Sequence, residues 1–446
     1  MCEMIGRRTA QLTQIGTILL PAVGLGLLAR AWVIWRAPNQ SFAVDQLFDT
    51  LAWNLVTLRQ FTLDGVNAAA HVGPLYPTVL AGFYFIIGHR PEWVPVLHIL
   101  FDLWAVLGIY QVGSVLWNPR VGAWTASLLF LYPAYWTYDP RIRSEALLTL
   151  LMSLWLWATV LAVKAPSKPR FAIMGLVAGL TVLCKPVVLV LAVLLTTLIG
   201  MGADRISRKL VYGIVYGTAC LALVLPWSVR NYTEFHHIIP VSAGVGVGFW
   251  MGSDPASRGS WPMPLEREYA IWESAGLTPL PHAYAMYEVE TDRLLRQKGI
   301  ERIMADPLSY LSLTLGRVWD FWVGNSFYLF EEQQGVTLGF SNDVQARGGV
   351  VAFYSLFKRL VLVPTLIIVA CYSVWIHRDR WKTLLPLYLF PIGLTVGYVP
   401  FTVEAGRYAL PVLPCLMMLS VAAVHHLHII QLVFGKRRIS PGMTGI

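Results

Sequence analysis

Long apolar runs recur along this 446-residue chain, and short basic clusters fall between many of them. A helix rising about 1.5 Å per residue needs about 17 to 25 such residues to cross roughly 30 Å of hydrocarbon. Ten runs are candidates, at 13–35, 93–116, 121–138, 145–163, 171–185, 186–203, 210–228, 353–376, 383–401 and 409–432. Only 13% of residues are charged against 56% hydrophobic, and the mean hydropathy is +0.57, which excludes a string of soluble domains. The chain reads as an all-α polytopic membrane protein. Its 18 Trp and 19 Tyr gather near run ends, where an amphipathic ring sits at headgroup level. The net charge of +9 is dispersed between runs as topology signals are, so no nucleic-acid partner is expected. Five cysteines lie far apart without a CxxC, so neither a disulfide framework nor structural zinc is expected. The opening "MCEMIGRRTAQLTQ" has the basic flank of a signal peptide, but the run that follows is long and lacks a small-residue cleavage site. It is expected to be an uncleaved first span.

With Arg7 and Arg8 in the cytoplasm, alternation puts five groups inside: Arg120; Lys164, Lys168 and Arg170; Arg205, Arg208 and Lys209; Arg378, Arg380 and Lys382; and Lys436, Arg437 and Arg438. Every cluster between spans then obeys the positive-inside rule, with both termini cytoplasmic. This requires "GPLYPTVLAGFYFIIG" (73–88) to be a juxtamembrane or re-entrant helix, as its length, two Pro and three Gly suggest. The expected organisation is an N-terminal transmembrane module (1–228) with a first outer loop (36–92), an outer subdomain (229–350) and C-terminal transmembrane helices (351–446). Leu294, Leu295, Ile300, Ile303 and Met304 recur at helical intervals in that subdomain and predict an amphipathic helix near 283–305.

Under this topology the unusual polar residues share one face. They are Asp45 and Asp49 of the first loop; Asp139, Arg141, Arg143 and Glu145 of "YDPRIRSEA"; Lys185; Arg230; and Glu404 with Arg407. Ionisable groups at membrane depth are costly, so such a set implies a water-accessible cavity with anionic and cationic walls. In the first loop Leu47, Leu51, Leu55 and Leu58 form one stripe, and Asp45, Asp49 and Trp53 another. A helix lying on the outer leaflet would bury the leucines and turn the carboxylates to the cavity, although a plain interfacial helix has acids facing water too. Other groups carry local alternatives. Asp139 before Pro140 starts a turn, Ser144 caps the next helix, Lys185 snorkels, Arg230 anchors at the interface, and Arg407 is neutralised by Glu404. His71 packs in its loop, and Asn231 heads an "NYT" glycosylation pattern close to the membrane.

Taken in order, these pieces resemble the GT-C superfamily of integral-membrane glycosyltransferases, in particular bacterial relatives of dolichyl-phosphate-mannose-protein mannosyltransferases and lipid A aminoarabinose transferases. The resemblance is carried by an acid after the first span followed by "LAWNL", then "GPLYPTVLAGFYFIIG", "YPAYWTYDPRIRSEALLTLLMSLWLW", "GLTVLCKPVVLVL", "PWSVRNYTEFHHIIPVS", "GFWMGSDPASRG" and "EAGRYALPVLP". It implies a GT-C fold of about ten transmembrane helices, juxtamembrane helices in the first outer loop, and a small outer soluble subdomain. It further implies a periplasm-facing site in the cytoplasmic membrane that moves a sugar from a polyprenyl-phosphate donor to a lipid, glycan or protein acceptor by inverting single displacement. Asp45 maps to the family acid, with Asp49 the alternative because Gln46 stands where many relatives have a second acid. The donor phosphate is expected on Arg407, Arg230 and Lys185, with Arg143 and His71 behind them, and the substrates against Glu145, Glu404, Tyr408 and Tyr76. No cofactor is assigned, and a divalent metal is left open.

The rivals are a transporter or flippase of a lipid-linked substrate, a polysaccharide polymerase or ligase, and a non-catalytic scaffold. Transport is disfavoured because no internal repeat with paired broken helices is visible and the charges gather at one face.

Overall fold

Inside lipid only a helix or a closed barrel satisfies its own backbone N–H and C=O groups, so apolar runs bounded by Pro, Gly and charge become helices. The computed structural model describes residues 2–36, 43–136, 138–201, 205–255, 288–323, 356–401 and 406–437, with single positions 273 and 353. In chain order the helices are α1 (Cys2–Arg36), α2 (Ala43–Thr57), α3 (Leu75–Ile87), α4 (Val94–Leu116), α5 (Pro119–Leu131), α6 (Pro133–Trp136), α7 (Glu145–Lys164), α8 (Lys168–Cys184), α9 (Leu189–Leu194) and α10 (Thr196–Met201). There follow α11 (Ile206–Phe235), α12 (Val245–Gly252), α13 (Val289–Ala305), α14 (Pro307–Val323), α15 (Val363–Ile376), α16 (Trp381–Tyr398) and α17 (Leu413–Arg437). Among the described residues the extended structure is one isolated bridge, Thr62 to Ala68.

Among the described residues six stretches are long and apolar enough to cross a bilayer: Ile15–Trp35, Pro91–Leu116, Glu145–Lys164, Ile206–Phe235, Lys358–Ile376 and Leu410–Leu427. The other four expected runs also fall on helices, but on shorter or Pro-interrupted ones. The expected run 121–138 stops at Leu131, because Tyr132 precedes Pro133 and takes an extended backbone (φ −71, ψ 119). Helix α3 has 13 residues, a length of about 20 Å, which matches a juxtamembrane helix better than a span.

The core is centred on α7, which packs against α4, α8 and α16. Trp155 of α7 is fully buried and meets Phe390 of α16 edge-on at 5.5 Å. Helix α8 crosses α11 closely: a Cβ on Gly175 or Gly179 would lie 2.3 or 2.8 Å from the carbonyl oxygen of Tyr216 or Cys220. Two small residues four apart bring the backbones together, as membrane helices do when packing, not water, drives association. Leu20, Leu25 and Leu28 of α1 and Leu221, Leu225 and Val229 of α11 stand exposed, as lipid-facing side chains must.

The first-loop stripe holds in part. Leu47 and Leu51 of α2 are buried, but the helix ends at Thr57 and leaves Leu58 exposed. In the outer region the predicted amphipathic helix is α13, yet Leu295 alone of the stripe is buried, while Leu294, Ile300 and Met304 are exposed. The buried face is instead polar and small. Asp292 accepts from the N–H groups of Gly244 (2.8 Å) and Gly246 (2.7 Å) at the start of α12, and Gly299 lies on the backbone of Phe249 and Trp250. This region grips the connection after α16: Arg317 donates to the carbonyls of Gly252 (2.7 Å) and Phe401, Tyr310 donates to Pro400, and the Gly406 N–H reaches the Asp320 carbonyl at 3.0 Å.

Candidate active site

Chain segments remote in sequence meet at the start of α7. Arg407 donates from Nε to Glu145 Oε1 at 2.6 Å, and its Nη2 bonds the same oxygen. Both side chains are less than a tenth exposed. Lys185 and Arg143 lie close enough to add their positive fields at Glu145. An aromatic wall lines the cations: the Arg407 guanidinium carbon is 5.6 Å from the ring centres of both Tyr138 and Tyr408, and Lys185 Nζ is 5.6 Å from that of Tyr408. Tyr408 stacks on Tyr398 at 4.1 Å.

Local sequence places each group. Lys185 precedes Pro186, so it leaves α8 with an extended backbone (φ −145, ψ 101) before the chain re-enters a helical turn. Gly406 takes φ 71, which only glycine adopts readily, and turns the chain so that Arg407 follows. On the facing side Gly73 lies where a Cβ would be 2.3 Å from the Leu183 carbonyl oxygen and 2.8 Å from that of Cys184, so the first loop touches the end of α8 beside Lys185. Three cations surround one carboxylate here, an excess of two positive charges among the described residues. Two planar forks and an ammonium suit phosphate oxygens, the forks by paired hydrogen bonds and the ammonium as a point charge.

The other expected site residues divide. Asp45 lies in α2 but its side chain is outside the described residues, and so is Glu404. Asp49 accepts the Tyr84 hydroxyl at 2.6 Å and faces His89 Nε2 at 3.0 and 3.1 Å. Burial and the adjacent Asp49 carboxylate push the Tyr84 phenol up, which keeps it an O–H donor. His89 also stacks on Trp53 at 4.6 Å, so Asp49 belongs to a tie between α2 and the turn after α3. His71 is half-buried, two residues before Gly73.

Four of the residues singled out in the sequence make contacts within the fold. Tyr76 is fully buried and its hydroxyl is 2.8 Å from His98 Nε2, which ties α3 to α4. Arg230 donates to the Ala69 carbonyl at 2.8 Å and the Phe61 carbonyl at 3.4 Å, with Trp227 under its guanidinium at 4.8 Å. That holds the first loop onto α11. Asp139 does more than start a turn, since it pairs with Arg30 at 2.8 Å. Asn231 is buried and spends its amide on the carbonyls of Ile239 (3.1 Å) and Val241 (3.0 Å), which excludes it as a glycosylation acceptor. Among the described residues no group of three His, Cys, Asp or Glu side chains is arranged to hold a metal ion.

The family model of dolichyl-phosphate-mannose-protein mannosyltransferases matches residues 71–229, which hold the 139–145 connection and Lys185. Among solved structures, the archaeal oligosaccharyltransferase AglB from Archaeoglobus fulgidus, in complex with an inhibitory peptide and a dolichol-phosphate, superposes with a TM-score of 0.55 at 13% identity over 97% of this chain and 52% of that one. The chain has the GT-C fold. The Archaeoglobus fulgidus oligosaccharyltransferase tethered to an acceptor peptide gives a TM-score of 0.55 at 12% identity, covering 94% of this chain and 50% of that one. A lower score, 0.40, is found with ArnT from Cupriavidus metallidurans bound to undecaprenyl phosphate, at 14% identity over 94% of this chain and 79% of that one. The chain thus spans about half the length of the archaeal structures it matches. No curated protein sequence matches it at a significant level.

Within this GT-C fold the sequence reading passed over Arg30, His98, Asp102 and His89. The first three are ionisable residues inside apolar runs, which is itself the signal that marks intramembrane polar networks. His89 gave no such signal, because its partner Asp49 is 40 residues away.

Proposed function

We propose that the chain is a glycosyltransferase that moves a sugar from a polyprenyl-phosphate donor to a lipid, glycan or protein acceptor at the outer face of the cytoplasmic membrane. The observation that carries this reading is the convergence of Arg407, Lys185 and Arg143 on Glu145 at the end of the helical bundle. The matching family is named for a sugar donor linked to a polyprenyl phosphate, and its match covers two of those cations. The basic clusters support the outward orientation of this end of α7, since by the positive-inside rule they belong on the cytoplasmic side.

In this mechanism the donor phosphate competes with Glu145 for Arg407, and Lys185 and Arg143 complete its cradle. The bond from the anomeric carbon to the phosphate oxygen breaks as an acceptor oxygen or nitrogen attacks from the opposite face. The negative charge that develops on the leaving phosphate meets cations already in place, so no reorganisation is needed during the step. The acceptor proton passes to a carboxylate, and Asp45 is the assigned base. Asp49 lies one turn further along the same face of α2, but its oxygens are already engaged by the Tyr84 hydroxyl and His89. A single displacement inverts the anomeric centre. Water excluded from the site spares the donor from hydrolysis, a task that fits the outer subdomain lying on the connection that carries Arg407.

The test is transfer from radiolabelled polyprenyl-phosphate sugars by membranes containing the protein, with Asp45→Asn and Arg407→Ala at matched levels. Both variants are expected to lose at least about a hundredfold in rate. Full activity in Asp45→Asn removes the base assignment, and transfer by Arg407→Ala at the wild-type rate removes the phosphate site.

A further inference from the structure

Arg30, five residues before the end of the first span, is almost completely buried. Its guanidinium spans two carboxylates: Nη2 donates to Asp102 Oδ2 at 2.7 Å, and Nε lies 2.8 Å from Asp139 Oδ2. Nη1 donates to the Phe130 carbonyl at 2.9 Å, and the Phe130 ring lies under the guanidinium at 3.9 Å. Asp139 is held from its backbone as well. A carbonyl oxygen only accepts, so His98 Nδ1, 2.9 Å from the Asp139 carbonyl, carries the ring proton. In the neutral ring His98 Nε2 is then the acceptor for the Tyr76 hydroxyl at 2.8 Å. Tyr76 meets Phe48 edge-on at 5.2 Å, and Phe48 stands between Asp45 and Asp49 on α2.

One continuous chain of contacts therefore runs from α1, through Asp139, to the first-loop helices. Asp139 also begins the short connection that delivers Arg143 and Glu145, and that connection is secured again by Tyr135, whose hydroxyl donates to the Leu410 carbonyl at 2.6 Å. We infer that Arg30 is a positioning residue for sugar transfer. Through Asp139 it fixes Arg143 and Glu145 against Arg407 and Lys185, and through Asp139, His98 and Tyr76 it sets the helix bearing the catalytic acid relative to those cations. The inference rests on the transferase reading for its activity arm and on the contacts alone for its geometric arm. Arg is required because its fork reaches two carboxylates at once, which a lysine ammonium on its flexible stem does not match.

The experiment compares Arg30→Gln, Arg30→Lys and the double variant Arg30→Lys/Asp102→Asn, with rates taken per folded protein in the membrane. Arg30→Gln is expected to lower kcat by about ten- to a hundredfold with donor KM changed less than about threefold, as a misplacement of reacting groups does. Arg30→Lys is expected to lose roughly tenfold, and the double variant to recover at least about fivefold of that loss, because the single ammonium is then left to Asp139 alone. A merely structural arginine would lower the folded amount and leave kcat per folded protein unchanged. That result, or a double variant no better than Arg30→Lys, overturns the inference. If the wild type transfers no sugar from any donor tested, the transferase reading fails, and backbone hydrogen exchange decides the geometric arm. Exchange at Arg141, Arg143 and Tyr76 in Arg30→Gln, or in Asp102→Asn should Arg30→Gln not fold, is expected to be at least about tenfold faster than in the wild type. Unchanged exchange there overturns it.

Discussion

Replacing Glu145 by Gln isolates the electrostatics of the cationic cluster, because the amide keeps the shape and removes only the charge. The wild-type pair with Arg407 is less than a tenth exposed on either side, so solvent screens it little. Removing one member of such a pair leaves an uncompensated buried charge, at a cost of about 3–5 kcal/mol. The upper part of that range is expected here, since Lys185 and Arg143 also lose their counter-ion. With an unfolding entropy of about 2.1 cal/mol/K per residue, a chain of 446 residues shifts its midpoint by roughly 1 °C per kcal/mol, so Glu145→Gln should melt about 4–5 °C lower. The three unbalanced cations should then welcome an anion. Inorganic phosphate at about a hundred times its Kd would return about 2.7 kcal/mol, or close to 3 °C. Thermal melts in detergent, in phosphate and in chloride at equal ionic strength, give the comparison. The wild type, with Glu145 already in place, should gain less than about 1 °C from phosphate under the same conditions. A variant as stable as the wild type, or an equal phosphate gain in both proteins, would refute the claim that Glu145 holds an anion site closed.

Asp49→Asn should keep most transfer activity and lose about 1–2 kcal/mol through its weakened bonds to Tyr84 and His89, whereas Asp45→Asn should lose transfer without loss of stability; the two are separated by rate and melt measured on the same preparations. Arg230→Ala should release the first loop from α11, and limited proteolysis between 59 and 70 is expected to speed up several-fold while the bundle stays intact. The Asp64 carboxylate is held well below the usual range by the backbone N–H groups of Val66 and Asn67, then by the Asn67 side chain. A depressed carboxylate contributes its stability above its unfolded value and loses it as the pH falls toward the folded one. Protection of the Val66 and Asn67 amides, measured as exchange relative to the intrinsic rate at each pH, should therefore persist through neutral pH and down past the ordinary carboxylate range and fall only in stronger acid; a fall already near pH 5 would contradict the turn.

Length and polarity made the bundle legible, because a run such as 145–163 has one structure that satisfies its backbone in lipid. Where the reading slipped, a local rule had been asked a tertiary question. The period of α13 announces a helix with a buried face, but the face that packs is the one carrying Asp292 and Gly299, since helix α12 offers unsatisfied N–H groups there and a carboxylate answers them better than a leucine. Arg407 has a local candidate partner in Glu404, which lies outside the described residues, and the structure also pairs it with Glu145, 262 residues away. Spacing along one helix cannot reveal such a pair, and only the shared face of the two span ends made their meeting predictable. Asp139 is the sharper case. Its position before Pro140 explains a turn completely, so nothing local asked for more, while Arg30 lay unremarked inside the first span. A guanidinium buried in a span must find carboxylates, and among several acids near the same face Arg30 meets Asp102 of the second run and Asp139 at the head of the connection. Arg30 and Asp102, charges inside two apolar runs, mark a buried network from sequence alone, but which acids close it on the site is set by tertiary packing.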